Sequence, residues 1–304
     1  MDIVLFKIIY TSLLLAILFS GYVIVSGLTS TVYNEIGFYI YLVIHASNII
    51  GSILSSFVVY RLMGVKWTII IGGITYIIWL GTYNFHITAL ILCTSFLVGI
   101  GGGFMRTQQS VWISSMPIHD KPSYYIGIFN AIFGLYGIIG SLTATIIFVV
   151  DIQFRTLIWI LTGTTSLTVI LLMMFMPNIS LDDSHIVSFN MYYSLIKRKS
   201  LWLFVPLTIF QSISLIYTSV MMPLLIVDNN FMLVSLNFTI YSITYCLNSY
   251  LLANIYKKTG AFYLLIINIV IAAIVFILNV LVYVYPYYII MYNYYPILII
   301  GFFC

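Results

Sequence analysis

Stretches of about 20 apolar residues, long enough to carry a helix across a ~30 Å hydrocarbon core, recur along this chain between short polar breaks. They fall near 4–26, 36–60, 67–84, 87–112, 123–149, 156–176, 201–226, 231–254, 261–284 and 287–304. No soluble core could hide them. Hydrophobic residues make up 63% of the 304 and charged residues 6%, whereas an ordinary soluble domain carries roughly 25% charged residues. A membrane β-barrel would instead need ~10-residue segments of alternating polarity, which the sequence does not contain. The expected fold is therefore all-α, a polytopic transmembrane helix bundle in a lipid bilayer. Lys7 and the apolar run around it resemble a signal peptide, but the run is too long and lacks a small-x-small cleavage site, so a first membrane helix is expected.

Gly64, Pro117, Pro122, Pro177 and Thr259-Gly260 mark the breaks between spans. Counting alternate sides, Lys7, Arg61, Lys66, Lys121, Lys197, Arg198, Lys199, Lys257 and Lys258 share one side and Arg155 alone occupies the other. Cytoplasmic loops retain basic residues, so the N-terminus is expected in the cytoplasm. The net charge of +4 is thus a topology signal rather than a sign of a nucleic-acid partner. The Lys197-Arg198-Lys199 cluster has two readings: it enforces topology, or it also binds anionic inner-leaflet lipid at roughly 1 kcal/mol per charge.

The longest polar stretch, Pro177 to Ser200, separates six spans from four. Shifting the chain by about 196 residues lays Leu201 over Leu5 and the Tyr256-Lys257-Lys258-Thr259-Gly260 turn where Tyr60 to Val65 falls. Two parallel six-helix halves joined by a cytoplasmic loop are the major-facilitator plan. The expected domains are an N-terminal half-bundle over 1–176, a central loop over 177–200 and a partial C-terminal half-bundle over 201–304. A complete second half would need roughly ninety further residues. The expectation is of a chain truncated after about ten helices, with a native ten-helix protein as the alternative.

Particular residues point to a family. Gly37-Phe38-Tyr39, Asn48-Ile49-Ile50-Gly51-Ser52, Arg61 to Trp67 and Gly72-Gly73-Ile74-Thr75-Tyr76 resemble spans two and three of the Unc-ninety-three-like ("uncoordinated") ion-channel regulatory proteins, a branch of the major facilitator superfamily. Gly99-Ile100-Gly101-Gly102-Gly103 with Thr107-Gln108-Gln109 and Trp112 is similar to that family's fourth span. Gly127 to Phe133 with Gly140 is similar to its fifth, and Pro206 to Phe210 to the opening of its seventh. Arg106 departs from the pattern, standing where the family has an aromatic residue, and Gly134-Leu135 replaces a polar pair. The resemblance implies a non-enzymatic accessory protein that regulates or escorts a channel or receptor. The alternative is a transporter of a small organic or anionic solute.

Chemistry-bearing residues are few. Asp2, Glu35, Asp120, Asp151, Asp182, Asp183 and Asp228 all fall in loops or at span ends, which argues against ion-coupled transport because coupled carriers place a carboxylate inside the bundle. Arg106 falls within a span, at a cost of about 2.5–3.5 kcal/mol on insertion scales. Either it faces a polar cavity with Gln109, three residues on, or it snorkels to the cytoplasmic end. His45 and Asn48 on span two and Gln211 on span seven are further candidates to line a cavity, and interhelical hydrogen bonds are the plainer role for them. The glycines at 99–103, and Gly127, Gly134, Gly137 and Gly140, read as small residues that let helices approach. Cys93, Cys246 and Cys304 lack metal-site spacing and read as buried thiols. No metal, cofactor or catalytic constellation is expected.

Overall fold

The computed structural model of the protein describes residues 3–33, 35–116 and 122–178, with scattered positions beyond, chiefly between 231 and 243. The expected central loop and the spans at 201–226, 261–284 and 287–304 lie almost wholly outside the described residues. Helix α1 runs Ile3–Tyr33, α2 Glu35–Leu54, α3 Tyr60–Thr82, α4 Thr88–Ser114, α5 Pro122–Phe133, α6 Leu135–Val149 and α7 Phe154–Phe175. A π-helical turn, Ser55–Val59, joins α2 to α3, and a 3-10 turn, Tyr83–Phe85, follows α3. Among the described residues, six spans are long and apolar enough to cross a bilayer, the fifth combining most of α5 with α6 as Tyr125–Val149. They correspond in order to the first six expected from the sequence.

The first span is longer than expected. Thr29, Ser30 and Thr31 look like a polar stop after residue 26, yet all three are buried inside α1. Helical threonines and serines satisfy their own hydroxyls against the preceding turn. Thr29 Oγ1 lies 2.6 Å from the Val25 carbonyl oxygen and 2.8 Å from Tyr83 Oη, whereas Ser30 Oγ and Thr31 Oγ1 are buried without a hydrogen-bond partner among the described residues.

Turn chemistry sets the other boundaries. Gly64 has φ 74° and ψ 171°, a conformation that breaks the helix between the second and third spans and suits glycine. Asp151 closes α6 at φ 59°. Its N–H donates to the Phe148 carbonyl at 3.1 Å and that of Ile152 donates to the Ile147 carbonyl at 3.1 Å, a Schellman closure with an aspartate in the left-handed position. Asp151→Gly should therefore raise the thermal midpoint slightly. Asp151→Val should destabilise by about 1–2 kcal/mol, because a β-branched residue is strained there. Equal midpoints for the two variants in detergent would show that the turn carries no such constraint.

Helix α4 sits between α2 and α3 because its glycines present bare backbone on two sides. A Cβ on Gly51 of α2 would strike the Ile100 backbone, and one on Gly103 would strike Asn48 and Ser52. On the other side, a Cβ on Gly72 of α3 would run into the Gly101 carbonyl oxygen at 2.6 Å, and one on Gly101 would meet the Thr75 side chain. Close backbone approach is how membrane helices associate where no hydrophobic effect drives them together. Gly140 of α6 plays the same part against Ser20 of α1. Gly127 does not, since it is exposed and a Cβ there would have nothing within 4 Å; the expectation that it packs is corrected.

A continuous aromatic chain runs through the bundle. Trp112 meets Phe129 at 6.3 Å, Phe129 meets Phe133 at 6.0 Å and Phe133 meets Phe19 at 5.2 Å. Phe19 then reaches Tyr76 at 5.2 Å, Tyr76 reaches Tyr22 at 5.3 Å, Tyr22 reaches Trp79 at 5.6 Å and Trp79 reaches Tyr83 at 5.0 Å. The buried indole of Trp79 donates to Ser95 Oγ at 3.0 Å, which ties α3 to α4.

Residues of the expected eighth span dock on this core. Phe231 stacks with Phe148 at 5.5 Å and Phe154 at 5.9 Å, Phe238 fills the notch at Gly27, Thr239 Oγ1 lies 3.5 Å from Thr145 Oγ1 and Ser242 packs on Gly137. Phe231, Phe238 and Ser242, at steps of seven and four, share one face of a helix, with Thr239 at its edge. Cys93 is exposed on the outer surface of α4, so the expectation of a buried thiol is corrected there. Cys246 and Cys304 lie outside the described residues.

Candidate functional site

The site is built on the face of α4 that carries Gly102 and Arg106. Gly102 lacks a side chain, and into that space come Tyr76 Oη from α3 and Asn48 Nδ2 from α2, at 2.8 Å and 2.9 Å from where a Cβ would stand. Arg106 is four residues further on and so lies on the same face, one turn away. Helical side chains lean toward the helix N-terminus, which is the direction of Gly102 from Arg106. His45 shares a face of α2 with Asn48, and its ring lies 4.6 Å from that of Tyr41.

Arg106 is accessible, yet its electrostatic neighbours are interior groups: Tyr22 of α1, Tyr41 of α2, Tyr76 of α3 and Tyr136 of α6. It also acts on His45. Ser110 and Ser114, at four-residue steps beyond Arg106, are exposed as well and extend a polar stripe toward the end of α4. Arg106 stands eight residues before Ser114, about 12 Å along the axis.

Three of the other expected residues fall close by. His45 and Asn48 are half-buried, and His45 Nε2 has no hydrogen-bond partner among the described residues. Gln109 is buried, with its Oε1 also unpartnered, as is Nε1 of Trp112 one turn on. Gln109 therefore points more into the core than Arg106 does. Gln211 lies outside the described residues.

Sequence reasoning missed Tyr76 and Gln108. Gln108 Nε2 donates to Ser55 Oγ at 2.9 Å, tying α4 to the π-helical turn. Neither was legible, because both contacts join residues of different helices that no local spacing relates.

Comparison with solved structures decides the fold. A POT family transporter in complex with 5-aminolevulinic acid matches with a TM-score of 0.66 at 15% identity, over 98% of this chain and 80% of that one. A D-xylose-proton symporter matches with a TM-score of 0.67 at 12% identity, over 98% of this chain and 79% of that one. The fold is that of the major facilitator transporters. UNC93-like protein 1 and UNC93-like protein 2 of Arabidopsis thaliana are each 29% identical to the chain over 87 residues. That match covers 27% of this chain and 19% of each relative, and it falls on the same branch of the superfamily that the sequence resembles. No family model matches the chain. Within this bundle, Arg106 lies in the fourth span, Thr88–Ser114.

Proposed function

We propose that the protein is a non-enzymatic major-facilitator-type carrier that moves a small organic anion through the cavity facing Arg106. The carrying observation is the accessible guanidinium of a membrane span, acted on by tyrosines of four helices and by no carboxylate among the described groups. A cation held in a span without a counter-ion is costly. An anionic solute would supply the missing charge and leave again, as a carrier requires. Asp151, in the loop after α6, lies far from this position in the fold, which favours unassisted movement over proton or sodium coupling. On the same reading the N-terminus is cytoplasmic and the chain divides into halves at 1–176 and 201–304 about the loop 177–200.

Proteoliposomes containing the purified protein are expected to take up labelled organic anions saturably and without an imposed ion gradient. Uptake indistinguishable from empty vesicles over a broad panel of acids would remove the proposal.

The similarity to UNC93-like proteins favours a second reading, an accessory protein that regulates or escorts a channel or receptor through its outer helix faces. It is tested by capture from native cells in mild detergent. A near-stoichiometric membrane partner, enriched over an unrelated multi-span control, supports it, and recovery of the protein alone counts against it.

A further inference from the structure

The carrier reading leaves open the kind of anion, and the polar groups around Gly102 narrow it. One guanidinium provides a single fixed positive charge with a planar fork that matches a carboxylate. A phosphate or sulfate dianion needs more compensation, yet of the described residues in the spans only Arg106 brings positive charge to this position. Two further donors converge one turn below it, Tyr76 Oη and Asn48 Nδ2, and both reach the bare backbone of Gly102. His45 Nε2 adds an unpartnered polar atom on the same face of α2 as Asn48. The surrounding walls are aromatic: Tyr76 packs edge-on to Tyr22 at 5.3 Å and to Phe19 at 5.2 Å, and Tyr41 lies beside His45.

We infer that the site takes a water-soluble organic monocarboxylate, its carboxylate on Arg106 and its apolar body against the aromatic walls, with Asn48 and Tyr76 donating to the remaining oxygen positions. The inference rests on the carrier reading and names the substrate class of that same site. Gly102 is part of the design, since any side chain there would fill the space in which Asn48 and Tyr76 meet. A fatty acid offers the same carboxylate chemistry from the membrane, so the test separates the two sources.

The full chain, purified in detergent, is titrated by thermal shift with benzoate, butyrate, benzamide, inorganic phosphate and laurate. Benzoate and butyrate are expected to raise the midpoint saturably, while benzamide, identical in shape to benzoate but uncharged, and phosphate leave it unchanged. Arg106→Gln should weaken benzoate binding at least about tenfold, the usual effect of losing a charge-assisted hydrogen bond. Asn48→Ala should weaken it less and serves if Arg106→Gln does not fold. Stabilisation by phosphate as strong as by benzoate, or by laurate alone, would overturn the inference, as would benzoate binding undiminished in both variants. Saturable uptake of a neutral or phosphorylated solute without benzoate binding would overturn the monocarboxylate assignment and leave a carrier in place. Absence of any uptake together with absence of benzoate binding would overturn both.

Discussion

Gly51→Val is expected to prevent normal assembly of the bundle. The Cβ of any residue at 51 would sit 2.7 Å from Ile100 Cα and closer still to the Ile100 carbonyl oxygen. Those atoms are helix backbone, which cannot turn aside as a flexible side chain can, and packed interiors transmit such strain rather than absorb it. Relief requires α2 and α4 to separate, which also breaks the contacts of Gly99 with Ser47 and of Gly103 with Asn48 and Ser52. The cost should be about 4 kcal/mol or more, at the extreme of single substitutions. Gly81→Ala is the matched control, since a Cβ there has nothing within 4 Å. Its effect should stay within about 0.5 kcal/mol. The two variants are compared by the fraction eluting as a monodisperse peak in mild detergent and by thermal midpoint. Similar profiles would mean that the glycine contact between α2 and α4 is not what holds the bundle.

Arg106→Ala should separate function from stability in opposite directions. If the guanidinium binds the solute, its removal should lower the efficiency of saturable uptake about ten- to a hundredfold, the value of one charge-assisted, bidentate contact. Arg106→Lys should fall between, because the charge is kept and the fork is lost. In the absence of solute the alanine variant should be as stable as the parent or more so, since a span is relieved of a cation that costs about 2.5–3.5 kcal/mol to insert. Such a trade-off is the usual mark of a residue kept for binding. A sharp loss of thermal stability would instead assign Arg106 to holding its neighbours Tyr22, Tyr76 and Tyr136 in place, and unchanged uptake would take it out of the solute path.

The sequence by itself determined the number, order and approximate limits of the six described spans, because length and apolarity are local properties that a bilayer reads directly. It also marked the glycines at 99–103 as contact surface, since a run of bare backbone inside a span has little other use. Tertiary structure decided what those helices bring together. Rotation of each helix about its axis sent Cys93 outward, left Gly127 open and turned Arg106 toward four tyrosines. Partners across the bundle likewise let α1 run on to Tyr33, because Thr29 could bond to Val25 behind it and Tyr83 beside it. The meeting of Asn48, Tyr76 and Arg106 around Gly102 depends on three helices at once. Apolar spans in lipid carry no periodic contrast strong enough to announce which face turns inward, so only packing against neighbours sets that rotation.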